Sequence, residues 1–303
     1  MASSVLPMPP GSDPEWQTEL LDLDAYLARI GYDGPRTPTL ETLRRLHRAH
    51  ADAISWEIVD SAVGRRIALD IESVQEKIVG RGQGGCCLES NLLFAAALDR
   101  LGFPLVRHLA RVRRGTRTVR TRSHAVLLVE VEGALWFADP GFGDESPLEP
   151  LPFTHDASVT VGDWTWRLQR DGEDWVLQSL HADGWFDVYA WQLEPHYFLD
   201  FDMVNHFSYA DPRSVFMPPG GLSHLIAQRG DDKTRLVLKN QVLTTQYPDG
   251  RLEHAELTAD EVVETLRDAF KLTIQPEDAQ FLRERFATAP AAQQAAPAQK
   301  SAQ

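Results

Sequence analysis

An α+β protein in three successive regions is what this sequence predicts, with helices first, antiparallel strands next and a short mixed region last. Three observations carry that expectation. Apolar residues repeat at helical spacing as far as about residue 103, and beyond Phe103-Pro104 they gather into short strand-like runs. Six of the eight tryptophans fall between Trp136 and Trp191, among those runs, where aromatic side chains suit β packing surfaces. A Pro248-Asp249-Gly250 turn, preceded by two more strand candidates and followed by a capped helix, marks the third region. The expected boundaries are 1–103, 104–211 and 212–287, with a tail at 288–303.

The first helix takes Leu23, Tyr26, Leu27 and Ile30 as its buried face, with Asp22 as cap and Gly31 as stop. A second starts from Thr39 after Pro38 and carries Leu40, Leu43 and Leu46. A third follows Asp70 through Ile71, Val74 and Ile78 and stops at Gly80. The fourth runs from Cys87 to Gly102 with Leu88, Leu92, Leu93, Ala96, Ala97 and Leu101, and no proline interrupts it. Then come Val126–Val129 and Leu135–Phe137, joined by Glu132-Gly133, which reads as a tight hairpin turn. Further strands are expected at Val159–Leu168, Trp175–Leu180 and Trp185–Trp191, then at Arg235–Leu238 and Val242–Gln246. A final helix opens at a capping box, Thr258 to Glu261, and carries Val262, Val263, Leu266 and Phe270. From Thr288 the sequence TAPAAQQAAPAQKSAQ has little to bury, and disorder is expected there.

Composition excludes several functions. A formal charge of −14 argues against a general nucleic-acid binder, which would show a basic footprint. No run approaches the roughly 18 apolar residues that span a bilayer. The start, MASSVLPMPPGSDPEW, lacks the basic and apolar regions of a signal peptide, so a cytoplasmic protein is the expectation. Only two cysteines are present, Cys86 and Cys87, and they are adjacent. A disulfide framework and a cysteine-rich zinc site both fail on that count, leaving two thiols.

Those thiols sit in Gly84-Gly85-Cys86-Cys87-Leu88-Glu89-Ser90-Asn91. Two glycines bring a loop tightly into the start of the fourth helix, and Cys87 falls in its first turn. Free N–H groups and the positive end of the helix dipole favour a thiolate there. The bland alternative is a pair of small buried residues in a tight loop. A nucleophilic thiol wants a base, and the base wants an orienting group. Of the ten histidines, His47 and His50 lie on a helix and His155, His181 and His254 in polar stretches. His124 differs, because it opens the first strand of the hairpin whose second strand Asp139 closes. With a two-residue turn, Val126 faces Asp139, and His124 becomes its diagonal neighbour on the same face. A three-residue turn would break that parity, and Asp139-Pro140-Gly141 alone is also an ordinary turn signal.

At this point the sequence resembles the arylamine N-acetyltransferases. Their pattern of Arg-Gly-Gly-aromatic-Cys-x-Glu-x-Asn, Thr/Ser-His-x-x-Leu and Asp-x-Gly-Phe-Gly appears as Gln83 to Asn91, Ser123 to Leu127 and Asp139 to Gly143. The order fits, with 37 residues from Cys87 to His124 and 15 from His124 to Asp139. The resemblance spans about residues 20–275. It implies a helical bundle, a central antiparallel β-barrel and a C-terminal α/β lid around a cysteine-protease-like core, with Cys87, His124 and Asp139 as the catalytic triad. There are departures. Gln83 stands where arginine is usual, with Arg81 two residues earlier. Cys86 replaces an aromatic residue, Pro140 replaces a small apolar one, and Trp56-Glu57-Ile58 stands for Phe-Glu-Asn.

The implied chemistry is ping-pong transfer of an acetyl or other short acyl group from acyl-CoA to an arylamine or hydrazine, through an acyl-Cys87 intermediate. The implied donor substrate is acetyl-CoA, with no permanently bound cofactor and no metal. Some relatives are amide synthases that release polyketide chains from an acyl carrier protein with the same triad, and that alternative stays open. Transglutaminases and papain-like hydrolases share the Cys-His-Asp order, and an interaction module on an inactive scaffold is the non-enzymatic alternative. For the donor, the stretch from Arg107 to Arg122 stands out, with seven arginines in 16 residues and no carboxylate. It runs into the strand that presents His124, and the donor's phosphates are anionic. Arg117, Arg120, Thr121 and Arg122, together with Gly141, Phe142 and Gly143, are the expected donor or substrate contacts. A solvated hairpin kept apart by its charges is the alternative.

Overall fold

The computed structural model describes residues 14–218 and 221–287. The expected disordered tail at 288–303 lies outside the described residues. Helices come first: α1 (Leu23–Arg29), α2 (Leu40–Ala53), the single turn α3 (Val59–Ala62), α4 (Ile71–Gln75) and α5 (Cys87–Arg100), with the two-residue strand β1 (Trp56–Glu57) before α3. The sequence signals act as expected. Asp22, Thr39 and Asp70 each accept a backbone N–H of the first turn of α1, α2 and α4. The third helix does not stay α-helical to Gly80, because Glu76–Gly80 widens into a π turn. Helix α5 is buried from Cys87 to Leu98, so it is the central rod of the molecule rather than a surface helix.

The middle of the chain supplies β2 (Leu105–Val112), β3 (His124–Val131), β4 (Ala134–Ala138), β5 (Leu151–Pro152), β6 (Ser158–Val161), β7 (Trp164–Asp171), β8 (Asp174–His181) and β9 (Gly184–Trp191). They form one antiparallel sheet in the order β5-β4-β3-β2-β9-β8-β7-β6, curled until its two edges, β5 and β6, touch. This is the nearly closed eight-stranded barrel, and the fold class is that expected. Trp164, Trp166 and Leu168 alternate inward along β7 and meet Leu177, Val188, Tyr189 and Trp191, so the barrel is a packed core and not a channel.

Three sequence expectations need correction here. Val159–Leu168 is two strands, because Gly162 takes φ +58° and turns the chain between β6 and β7. Strand β2 was hidden by its arginines. Arg107, which looked like surface charge, is buried, salt-bridged to Asp99 and laid over the Trp16 ring at 4.5 Å. Arg113 is also buried, among Asp171, Asp174 and Asp187. The basic stretch is therefore partly internal.

The remaining elements are α6 (Phe198–Ala210), β10 (Ile226–Gly230), β11 (Arg235–Lys239), β12 (Val242–Gln246), β13 (Leu252–Glu256), α7 (Ala259–Asp268) and α8 (Pro276–Ala287). Helices α6 and α8 and strand β10 were not anticipated, and α7 is not the last helix. The second sheet runs β1-β10-β11-β12-β13. Its first strand comes from the helical region: Trp56 pairs with Gln228 and bridges to Gly85 on the other side. That two-residue strand joins the cysteine loop to the C-terminal sheet.

Candidate active site

Cys87 is the first residue of α5, and the loop before it is shaped by close approach. A Cβ on Gly84 would lie 2.1 Å from the Ser55 carbonyl oxygen, so only glycine fits. Glu89 reaches back to accept the Cys86 N–H at 2.8 Å and holds the helix start. Beneath it lies a residue the sequence reading missed. Lys77 is buried, 2.9 Å from Glu89 and 3.1 Å from Glu57. Burial would lower its pKa, but the two carboxylates outweigh that and raise it, so the ammonium stays charged. With Gln83 in place of the usual arginine, Lys77 supplies the cation under this loop. Arg81 instead pairs with Asp60 and Glu76. In the sequence Lys77 reads as an ordinary polar position of the helix expected from Ile71 to Gly80, which is why no signal picked it out.

The two thiols differ. Cys86 is fully buried, and burial followed by the charges of Glu89 and Cys87 pushes its pKa well up, so it stays protonated. Cys87 lines a cavity and donates its thiol toward the Ser123 carbonyl at 3.4 Å.

The hairpin parity expected from the sequence holds. Glu132 (φ +54°) and Gly133 (φ +77°) form the two-residue turn, and Leu127 pairs with Ala138. One step further, His124 Nε2 donates to Asp139 Oδ2 at 2.7 Å, both side chains being inaccessible to solvent. Burial lowers the basicity of His124, but Asp139 and then Cys87 overcome it and raise its pKa to about 9. Asp139 feels the reverse: burial raises its pKa, while His124, Tyr189 and Asn91 bring it below the usual carboxylate value.

Asp139 is held from every side. Asn91 Nδ2 donates to its Oδ1 at 2.6 Å and Gly141 N at 3.1 Å, while the Tyr189 hydroxyl donates to Oδ2. Its own N–H donates to His47 Nε2 at 3.2 Å. Burial lowers the pKa of His47 to about 4, which keeps the ring neutral and free to accept. His47 is thus no ordinary helix-surface histidine, and neither is His50, which is buried between Tyr26 and Ser90 at 2.8 Å from each. Asn91 belongs to the expected cysteine motif, four residues after Cys87, whereas His47 reads in the sequence as a plain helix histidine and Tyr189 gave no signal.

The cavity over Cys87 measures about 870 Å³. Trp56, Phe142, Phe207, Val215 and Phe216 give it apolar walls, and its polar lining includes Arg111, Arg114, Arg120, Arg213 and Lys239 but no Asp or Glu among the described residues. Of the expected contacts, Arg120, Thr121 and Phe142 line it. Arg117 lies instead against Asp171 at 3.0 Å and Arg122 against Glu194 at 2.6 Å. Gly141 and Gly143 serve the loop: a Cβ on the first would meet Asn91 at 2.8 Å, and one on the second would meet Gln228 at 2.4 Å. Among the described residues no cluster of three or more His, Cys, Asp or Glu could hold a metal ion. A buried imidazolium–carboxylate pair beside a thiol, under an electropositive cavity, can generate and discharge a covalent thioester.

Residues 39–279 match the family model described as N-acetyltransferase. An arylamine N-acetyltransferase of Escherichia coli (strain K12) is 36% identical over 195 residues, 64% of this chain and 69% of that protein. Among solved structures, the Nocardia farcinica arylamine N-acetyltransferase superposes with a TM-score of 0.82 at 38% identity, covering 90% of this chain and 98% of that one. The Mycobacterium marinum arylamine N-acetyltransferase in complex with CoA gives 0.79 at 29% identity, covering 88% and 98%.

Proposed function

Because the chain belongs to the arylamine N-acetyltransferase family, we propose that this acetyltransferase works by ping-pong acyl transfer through an acetyl-Cys87 intermediate. The observation that carries the proposal is the buried His124–Asp139 pair behind Cys87, whose thiol lines one electropositive cavity. Acetyl-CoA is the donor in this reading, in keeping with the relative solved with CoA, and an arylamine or hydrazine is the acceptor.

Cys87 Sγ attacks the thioester carbonyl as a thiolate, with the proton on His124. The C–S bond to coenzyme A breaks, and the departing thiolate takes the His124 proton, leaving a neutral imidazole and an acetyl-thioester on Cys87. The acceptor amine then attacks that carbonyl and loses its proton to His124. Collapse releases the amide and restores the thiolate–imidazolium pair. Asp139 never takes the proton; it fixes the ring and stabilises its charge. Cys86 takes no part, since its thiol is buried and protonated. In this reading Arg120, Thr121 and the exposed Lys239, which line the cavity, meet the donor's phosphates.

The test is acetyl-CoA without acceptor. One equivalent of free CoA should appear in a burst, with one acetyl group on Cys87 by mass spectrometry of the intact chain and its peptides. Slow release with no burst and no acetylated Cys87 would overturn the mechanism.

A further inference from the structure

The cation beneath the cysteine loop is connected to the reacting thiol through a short chain of contacts. Lys77 sits in the π turn Glu76–Gly80, and its side chain is 3% exposed. The ammonium lies 3.0 and 2.9 Å from the two carboxylate oxygens of Glu89 and 3.1 Å from Glu57. Three N–H groups thus meet three carboxylate oxygens. The backbone of the same residue takes the other end of the loop, since its carbonyl accepts the Gln83 N–H at 3.2 Å. Lys77 therefore holds residues 83–86 at both ends: Gln83 directly, and Cys86 through Glu89, which accepts the Cys86 N–H at 2.8 Å. Gln83 gives no help, because both polar atoms of its buried amide lack a hydrogen-bond partner among the described residues. Among those residues no other cation pairs with Glu57 or Glu89.

We propose that Lys77 is a positioning residue for acetylation of the enzyme: by holding the Glu57 and Glu89 carboxylates together it fixes the first turn of α5, and with it the approach of Cys87 to His124. This rests on the ping-pong reading above. Helix α5 serves both halves of the site, with Cys87 at its start and, one turn on, Asn91, which donates to Asp139 Oδ1 at 2.6 Å. A shift of the helix start therefore moves the thiol and loosens the carboxylate that orients His124. Without Lys77, two buried carboxylates from different elements face each other with no cation. Like charges so placed share one proton, and when it leaves they repel. Repulsion then drives Glu89 away from the Cys86 N–H. The other ionisable groups nearby cannot take over. Arg65 and Arg81 are committed to Asp60, at 2.7 and 3.2 Å. The Cys86 thiol and the Tyr209 hydroxyl are both kept protonated by burial. Lys77 thus frees the site from a carboxylate titration that burial would otherwise place between about pH 6 and 9.

The experiment uses Lys77→Met, which keeps the side chain's length without its charge, and Lys77→Met/Glu57→Gln, which also removes one of the two carboxylates. Stopped-flow CoA release from acetyl-CoA is compared with wild type from about pH 6 to 8.5. Lys77→Met should fall behind wild type as pH rises, by about tenfold at the alkaline end, while the double variant follows the wild-type profile within about twofold. A loss that is equal at every pH and persists in the double variant would mean that Lys77 only fills space. A Lys77→Met enzyme equal to wild type throughout would leave it no role. Either result overturns the proposal. So does failure of the double variant to fold, since removing one carboxylate relieves the repulsion. If Lys77→Met alone fails to fold, the double variant decides, by a profile that matches wild type or one that does not. Iodoacetamide alkylation of Cys87 near pH 7.5, which involves no acetyl group, should slow several-fold in Lys77→Met and recover in the double variant. The CoA burst separates the two readings: no burst in wild type overturns the mechanism, whereas a burst with unshifted ratios overturns only the role of Lys77.

Discussion

Replacing Asp139 by asparagine tests the proton logic of the site most directly. Every side-chain hydrogen bond that Asp139 accepts comes from a donor: Asn91 and Gly141 on Oδ1, His124 and Tyr189 on Oδ2. An amide offers one acceptor oxygen and one NH₂. With the oxygen kept on Asn91 and Gly141, the NH₂ faces Tyr189 and His124. The tyrosine hydroxyl can rotate and accept. His124 Nε2 accepts only after losing its proton, which leaves a neutral ring protonated on Nδ1. Such a ring cannot take a proton at Nδ1. Holding a histidine at about 9 in place of 6.5 corresponds to roughly 3 kcal/mol in favour of the imidazolium, and Asp139 is the first group that raises it. Acetylation of the enzyme should therefore slow on the order of 10³- to 10⁴-fold in Asp139→Asn. Stopped-flow measurement of CoA release against pH is the assay. Wild type should keep its rate up to an alkaline limb near pH 9, where the ring loses the proton it gives to the leaving thiolate. Stability follows with the same sign. The His124 pKa is raised on folding, so the pair's contribution is complete below about pH 6.5 and is lost as pH rises through about 9. The melting temperature of wild type should fall across that window and that of Asp139→Asn should not. A variant that acetylates within tenfold of wild type and keeps the same alkaline limb would refute this account.

Cys87→Ser should abolish the CoA burst while Cys86→Ser retains most of it, since only Cys87 lines the cavity; the reverse result would put the nucleophile one residue earlier. Arg120→Ala should raise the donor KM several-fold at low salt. Arg117→Ala, removing a side chain that lies on Asp171, should change it less than twofold, and initial-rate kinetics at two ionic strengths decide between them. Gly84→Ala should cost roughly 2 kcal/mol or more in urea denaturation because its Cβ overlaps the Ser55 carbonyl. Gly80→Ala, whose Cβ meets only Glu76 at 4.0 Å, should stay within about 0.5 kcal/mol of wild type.

What the sequence could disclose was what is local. The caps of α1, α2 and α4 lie within three residues of the N–H groups they satisfy. The meeting of His124 with Asp139 followed from the parity of one two-residue turn. What stayed hidden depends on distant partners. Strand β2 looked like basic surface because Asp99 and Trp16, which make Arg107 a core residue, are out of register with any local pattern. Helix α6 carries apolar residues on several sides, with Leu199 and Met203 exposed and Phe201 and Val204 buried, so no single stripe announced it. Lys77 is a single charge whose meaning is set by Glu57 and Glu89, which come from other elements and pack beside it.

The pairing of Trp56 with both Gly85 and Gln228 also governs how the enzyme comes into being. A ribosome releases Cys87 with the helical region, yet Ile226, Gln228 and Lys239, which close the cavity over it, follow roughly 140 residues later, on the order of ten seconds at ordinary synthesis rates. Throughout that interval the nascent chain carries the thiol without the chamber that directs its chemistry. A polypeptide ending before residue 226 would therefore be an unfinished enzyme and not a smaller one, with Trp56 left as an unpaired edge. The catalytic chamber is therefore complete only once the C-terminal sheet has been made.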